Sequence, residues 1–182
     1  MERCQERVRE LARELDETGR AHELFASLYV TLERLHRSHK VGEVVAAIHE
    51  VVINLVGSED FALFVFDEAS AQFQSLSSMG AGALLAPFTA GEGALGKAAA
   101  AGRPTWGDPH ALAPLSIDGG RVVGLIAVVG LLSHKPALER REQLLVEALA
   151  AHAGVALEAA LAAVAGPPTW DAARLRALVG GA

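Results

Sequence analysis

The stretch GEGALGKA, Gly91 to Ala98, carries the residue types of a nucleotide site. Gly91, four residues, Gly96 and Lys97 match a phosphate-binding loop, in which backbone amides cradle phosphates and the lysine reaches them. The match fails at Ala98, where a hydroxyl should contact magnesium. The same stretch spells G-x-G-x-x-G, the dinucleotide spacing, which requires a strand before it. Pro87 disturbs that strand, because proline donates nothing to a ladder. A local reading explains the glycines. Thr89 caps a helix, Glu92 completes a reciprocal capping box, Gly91 and Gly93 allow close passage against a sheet, and Gly102 stops the helix.

Other reactive residue types lack a frame. Ser75, Ser78, Asp108 and His110 supply the groups of a hydrolase without a G-x-S-x-G elbow. Asp67 and Glu68 are adjacent, so an extended chain sends them to opposite faces; a strand end and turn explain both. His36 and His39 come nearest to metal-ligand spacing, but solvent-facing helix positions account for them, and His49 reads as a structural helix residue. Cys4, the one cysteine, excludes an internal disulfide, a cysteine-rich zinc site and a Cys-x-x-Cys pair. The expectation is no enzyme activity, no cofactor and no metal.

Composition narrows the class further. A chain of 182 residues suits one domain with appendages. A net charge of −6 without a basic block argues against nucleic acid or an anionic membrane as partner. The most apolar tract, Val122 to Leu132, is too short to cross a bilayer, and the N terminus does not read as a signal peptide. A cytoplasmic protein is expected, and the Arg- and Ala-rich composition suggests a bacterial coding sequence.

These residues need elements to position them. ERVRELARELDETGRAHELFASLYVTLERLHRSH reads as helix, weakened at Thr18 and Gly19. Val8, Leu11 and Leu15 form its first apolar stripe; Leu24, Leu28, Leu32 and Leu35 form a second, widened by Phe25 and Tyr29. Continuing the first heptad puts Thr18 and His22 on the seam before Phe25, Tyr29 and Leu32 restore it, so association through a coiled coil with a polar middle is expected. A second helix spans 41–56 and ends at Gly57. Strands at 61–68 and 72–79 flank a turn at 69–71, and strands at 115–117 and 121–130 flank Asp118-Gly119-Gly120. A long helix over 139–165 carries Leu145, Leu149, Ala153, Ala156 and Leu157 on one stripe, and a short helix follows near 170–179. Two hairpins exclude a repeating βαβ array. The expected class is α+β in α/β/α layers, a central antiparallel sheet covered by N- and C-terminal helices.

In this order the passages VGEVVAAIHEVVINLVGSEDFALFVFDE, GEGALGKAAAAGRPTW and APLSIDGGRVVGLIAVVG, before a long helix, resemble a GAF domain over residues 22–165. Residues 1–21 are then a charged helical extension, and 166–182 a linker with a short tail helix. GAF domains are sensory and dimerisation modules of bacterial signalling proteins. Some bind cyclic nucleotides, tetrapyrroles or small metabolites under a lid; others act through dimer contacts of their first and last helices. The resemblance implies interface roles for Leu24, Leu28, Leu32 and Leu35 and for Leu149, Ala156 and Leu157, beside Leu11 and Leu15 of the extension. It implies a residual pocket, if one is retained, at Phe64, Phe66, Trp106 and His110. The crossing Gly107 to His110 is too short for a lid helix, and the cysteines of bilin-attaching and methionine-sulfoxide-reducing members are missing from the domain. The expected function is a non-catalytic homodimerisation and protein-interaction module in signalling, with a small-ligand sensor as the alternative.

Overall fold

In the computed structural model of this chain, residues 2–80, 82, 85–164 and 169–180 are described, the side chains of residues 2–5, 8, 12, 17 and 24 excepted. Strand β1 (Asp60–Asp67) is buried on both faces. Its alternation sends Phe61, Leu63 and Val65 into one apolar cluster and Ala62 and Phe64 into another, so helical cover is needed on both sides. Strands β2 (Gln72–Met79), β3 (Thr105–Trp106), β4 (Ala111–Ser116) and β5 (Val122–Gly130) complete an antiparallel sheet of order β2-β1-β5-β4-β3. The antiparallel sheet flanked by helices is the architecture the hairpin pattern implied.

The larger cluster lies between the sheet and helices α1 (Glu2–Arg37), α2 (Val41–Val51) and α4 (Arg140–Ala162). Helix α3 (Gly93–Ala101) covers the opposite face, contributing Ala98 and Ala99. A short π turn, Val52–Val56, extends α2 to Gly57, whose φ of 74° closes the helix as expected. By length and composition α4 is apolar enough to cross a membrane, but Leu145, Leu149, Ala153 and Leu157 are buried within the fold.

Two polar ties fix the ends of α4 and α2 together. Glu139 and Glu142 form a reciprocal capping box at the start of α4. The buried Glu142 also meets the Lys135 ammonium at 2.9 Å, and that ammonium donates to the carbonyl of Val56 at 2.6 Å.

Helix α1 runs unbroken through Thr18 and Gly19, where the sequence suggested an interruption. The Thr18 hydroxyl bonds the Glu14 carbonyl one turn back, and the space around Gly19 is open, so neither residue meets an obstacle that would end the helix. The last helix, α5 (Ala172–Gly180), folds back onto the domain, burying Trp170, Ala172 and Leu175 in the larger cluster.

Candidate functional site

Aromatic rings pack on the sheet face beneath α3. Phe88 stacks on Phe73 with centroids 5.0 Å apart and meets Phe64 edge-on at 5.1 Å. Paired backbone bonds between Phe73 and Phe88 hold the segment after Pro87 against β2. Phe64 is fully buried in this cluster and Phe66 packs beside it. Trp106 faces the other way: it pairs with Ala111 and packs on the helical cluster across the sheet. His110 ends the Gly107 to His110 crossing, where its carbonyl accepts the Gly107 amide at 3.5 Å. The four residues expected to line one residual pocket therefore do not converge, because the two-residue β3 turns Trp106 to the opposite face from Phe64.

Of the glycines of GEGALGKA only Gly96 is set by packing; Gly91 and Gly93 are exposed with open space around them, so they answer to their positive φ and not to the close passage against the sheet that was expected, and the cap also differs. Helix α3 starts at Gly93 after Glu92, which makes no side-chain capping bond. The proposed Thr89–Glu92 capping box is replaced by a backbone turn, in which Glu92 N–H donates to the Thr89 carbonyl at 3.2 Å. Gly91 at a φ of 92° lies in this turn, outside the helix. Gly96 is buried, and a Cβ there would run into the Thr89 carbonyl oxygen. Lys97 points to solvent.

The hydrolase residue types are scattered across the sheet. Ser75 and Ser78 lie on edge strand β2, while Asp108 and His110 lie at the β3–β4 edge. With neighbouring strands about 4.8 Å apart, the two sets are separated by well over 10 Å. A pair that the sequence did not suggest does form: Ser77 Oγ lies 2.8 Å from His49 Nε2, with the ring edge-on to Phe61. Burial holds His49 below its ordinary value of 6.5. Among the described residues no carboxylate bonds this imidazole, so the pair lacks the third group that orients a base for nucleophile activation. No group of three His, Cys, Asp or Glu that could hold a metal occurs among the described residues.

Helix α1 is apolar on two faces, and one of them is open. Heptad steps run through Leu11, Thr18, Phe25 and Leu32, and through Leu15, His22, Tyr29 and His36. On this seam Leu11 is 45% exposed, Leu15 73%, Phe25 60% and Tyr29 71%. Leu32 is half-buried at its edge. Leu28 and Leu35 lie roughly 100° around the helix; Leu28 packs on the core and Leu35 is enclosed by it. The side chain of Leu24 lies outside the described residues.

Three of the expected interface residues are not on the surface. Leu149, Ala156 and Leu157 are buried within the chain, because the apolar stripe that stands out in the sequence of α4 is the one facing its own sheet. The open side of α4 carries Leu144, Ala151, Val155, Ala159 and Ala162, with Ala148 half-buried. Their signal in the sequence is a second stripe of three- and four-residue steps, masked by the frequency of alanine around the helix. Glu147 and Glu158 flank this stripe and are themselves half-buried.

The two open faces adjoin. His36, on the α1 seam, places Nε2 2.9 Å from Nδ1 of His152 on α4. Farther back along α1, Arg20, Glu23 and Ser27 share a groove with Arg141 near the start of α4. The helices therefore run in the same direction, side by side, with α1 extending beyond the domain at its N-terminal end. Every described side chain from Glu6 to Arg20 is exposed.

No family model and no curated protein matches the sequence. Solved structures do share its fold. The GAF domain of an Acinetobacter phosphoenolpyruvate-protein phosphotransferase aligns with a TM-score of 0.63 at 12% identity, covering 79% of this chain and 96% of that one. A methyl-accepting chemotaxis protein aligns with a TM-score of 0.60 at 15% identity, covering 75% of this chain and 99% of the solved fragment. The free methionine-R-sulfoxide reductase of Neisseria meningitidis aligns with a TM-score of 0.63 at 20% identity, covering 80% and 94%. At these identities the likeness concerns the fold, and the fold of this chain is that of a GAF-like domain.

Proposed function

We propose that this chain is a non-catalytic regulatory module that self-associates through the open faces of α1 and α4 and presents the resulting helical bundle to a signalling partner. The observation that carries this reading is the exposed N-terminal half of α1. A single helix without tertiary packing is marginal in water, yet the seam through Leu11, Leu15, Phe25 and Tyr29 keeps an apolar face along a helix of 36 residues. A second copy, paired in parallel so that each heptad position meets its own kind, covers that face.

The available area favours a second copy using both helices. A strip about 10 Å wide along α1, about 54 Å long, gives roughly 540 Å² per copy, below the 800 Å² or so typical of a stable interface. Adding the face of α4, about 35 Å long, raises this to roughly 900 Å². The aromatic filling of Phe64, Phe73 and Phe88 supports an interaction role over ligand sensing. The reductase chemistry of the Neisseria protein has no thiol set here, since Cys4 is the chain's single cysteine. Native mass spectrometry of purified protein tests the reading: a dimer without bound small molecule supports it, and a stoichiometric ligand favours a sensor.

A further inference from the structure

His36 and His152 form a paired nitrogen set on the open side of the molecule. Their ring nitrogens are 2.9 Å apart, and the rings meet nearly perpendicular with centroids 5.0 Å apart. Among the described residues neither ring is paired with a carboxylate; Glu33, one turn before His36, holds Arg37 at 2.9 Å. Zinc binds imidazole nitrogen at about 2.0–2.1 Å in tetrahedral sites, which places two such nitrogens about 3.3 Å apart, so the His36–His152 contact opens by about 0.4 Å to admit an ion. Leu35 and Leu149, fixed in the core on the same two helices, set the spacing.

One chain supplies two ligands, short of a closed site. His36, however, stands seven residues after Tyr29 and fourteen after His22 on the seam, so parallel pairing turns it towards its own counterpart. We propose that two copies joined through α1 and α4 gather four imidazoles, His36 and His152 of each, around one zinc-type transition-metal ion on the dimer axis. Imidazole donors suit zinc, copper and nickel and give hard cations such as magnesium or calcium little to bind. Binding moves the proton of the donating imidazole in each pair to its other ring nitrogen, freeing both facing nitrogens for the metal, and links self-association to metal supply. This proposal rests on the self-association reading.

The test uses untagged full-length protein stripped with EDTA, titrated with zinc chloride by calorimetry and followed by sedimentation velocity with and without zinc. Expected are one zinc per two chains and a dimer tightened about tenfold or more. His36→Gln and His152→Gln should each abolish both effects, while His134→Gln, on a surface loop, should leave them unchanged. Uptake of one zinc per chain, uptake that survives both substitutions, or no uptake by protein that is dimeric in EDTA would overturn the shared site and leave self-association standing. Protein that stays monomeric at every concentration with and without zinc would overturn both.

Discussion

The Asp67 carboxylate accepts the backbone amide of Ala172 at 3.0 Å, joining the end of β1 to the start of α5 across 105 residues. Its other oxygen accepts the Ser70 amide and hydroxyl and the Gln74 amide, so one side chain organises the β1–β2 turn and holds the tail. The Glu68 amide adds a bond to the Trp170 carbonyl at 2.8 Å. Asp67→Ala should therefore loosen α5 while leaving the sheet intact, at a cost of about 1–3 kcal/mol for the unmet donors. Hydrogen exchange over 170–180 should rise selectively, and protection of β1 and β5 should persist.

The same carboxylate sets an acid dependence. The Ser70 hydroxyl, then the Ala172 amide, hold Asp67 below its ordinary value of 3.8. A depressed carboxyl contributes stability that is fully present above the unfolded value and lost as pH falls from there through the folded one. Trp170 fluorescence should therefore report tail release below about pH 4, and Asp67→Asn should remove that acid step. An unchanged acid transition in the variant would contradict the role given to Asp67.

Charge on the open seam should separate association from folding. Phe25→Glu and Leu15→Glu place carboxylates where the side chains are already exposed, so circular dichroism should stay helical while self-association weakens at least about tenfold. Leu149→Ala and Leu157→Ala, inside the core, should instead lower unfolding stability by about 2–5 kcal/mol. Denaturant titration beside sedimentation distinguishes the two classes.

Two glycine substitutions should move stability in opposite directions. Gly19 sits in α1 with open space around it, and Gly19→Ala should stabilise by about 0.5–1 kcal/mol through helix propensity. Gly96 also sits in a helix, but its added methyl would collide with the Thr89 carbonyl, so Gly96→Ala should destabilise. Equal gains from both would contradict the packing role of Gly96.

Parallel pairing has its own signature. In a Cys4→Ser background, Thr18→Cys puts one thiol per chain on the seam facing its counterpart, and mild oxidation should give a covalent dimer. Ser27→Cys, on the far side of α1, should crosslink poorly. Equal yields from both would contradict the seam.

Periodicity made the hairpins, the long helices and the antiparallel sheet legible, because alternation in FALFVFD and heptad steps in α1 are local signals. What local signals could not supply was direction. The conspicuous stripe of α4 turned out to face inward, since nothing in Leu149 or Leu157 marks whether the surface they seek belongs to the same chain. Trp106 likewise took the helical face because register with Ala111, a tertiary property, decides which way a two-residue strand presents its side chains. The Asp67–Ala172 and His36–His152 contacts join residues more than a hundred positions apart, beyond the reach of spacing arguments.

The most direct measurement is multi-angle light scattering on the eluting protein at tens of micromolar. Twice the chain mass of 19.0 kDa is expected, falling to a single chain mass in Phe25→Glu. A wild-type species at 19.0 kDa across that range would contradict self-association through α1 and α4.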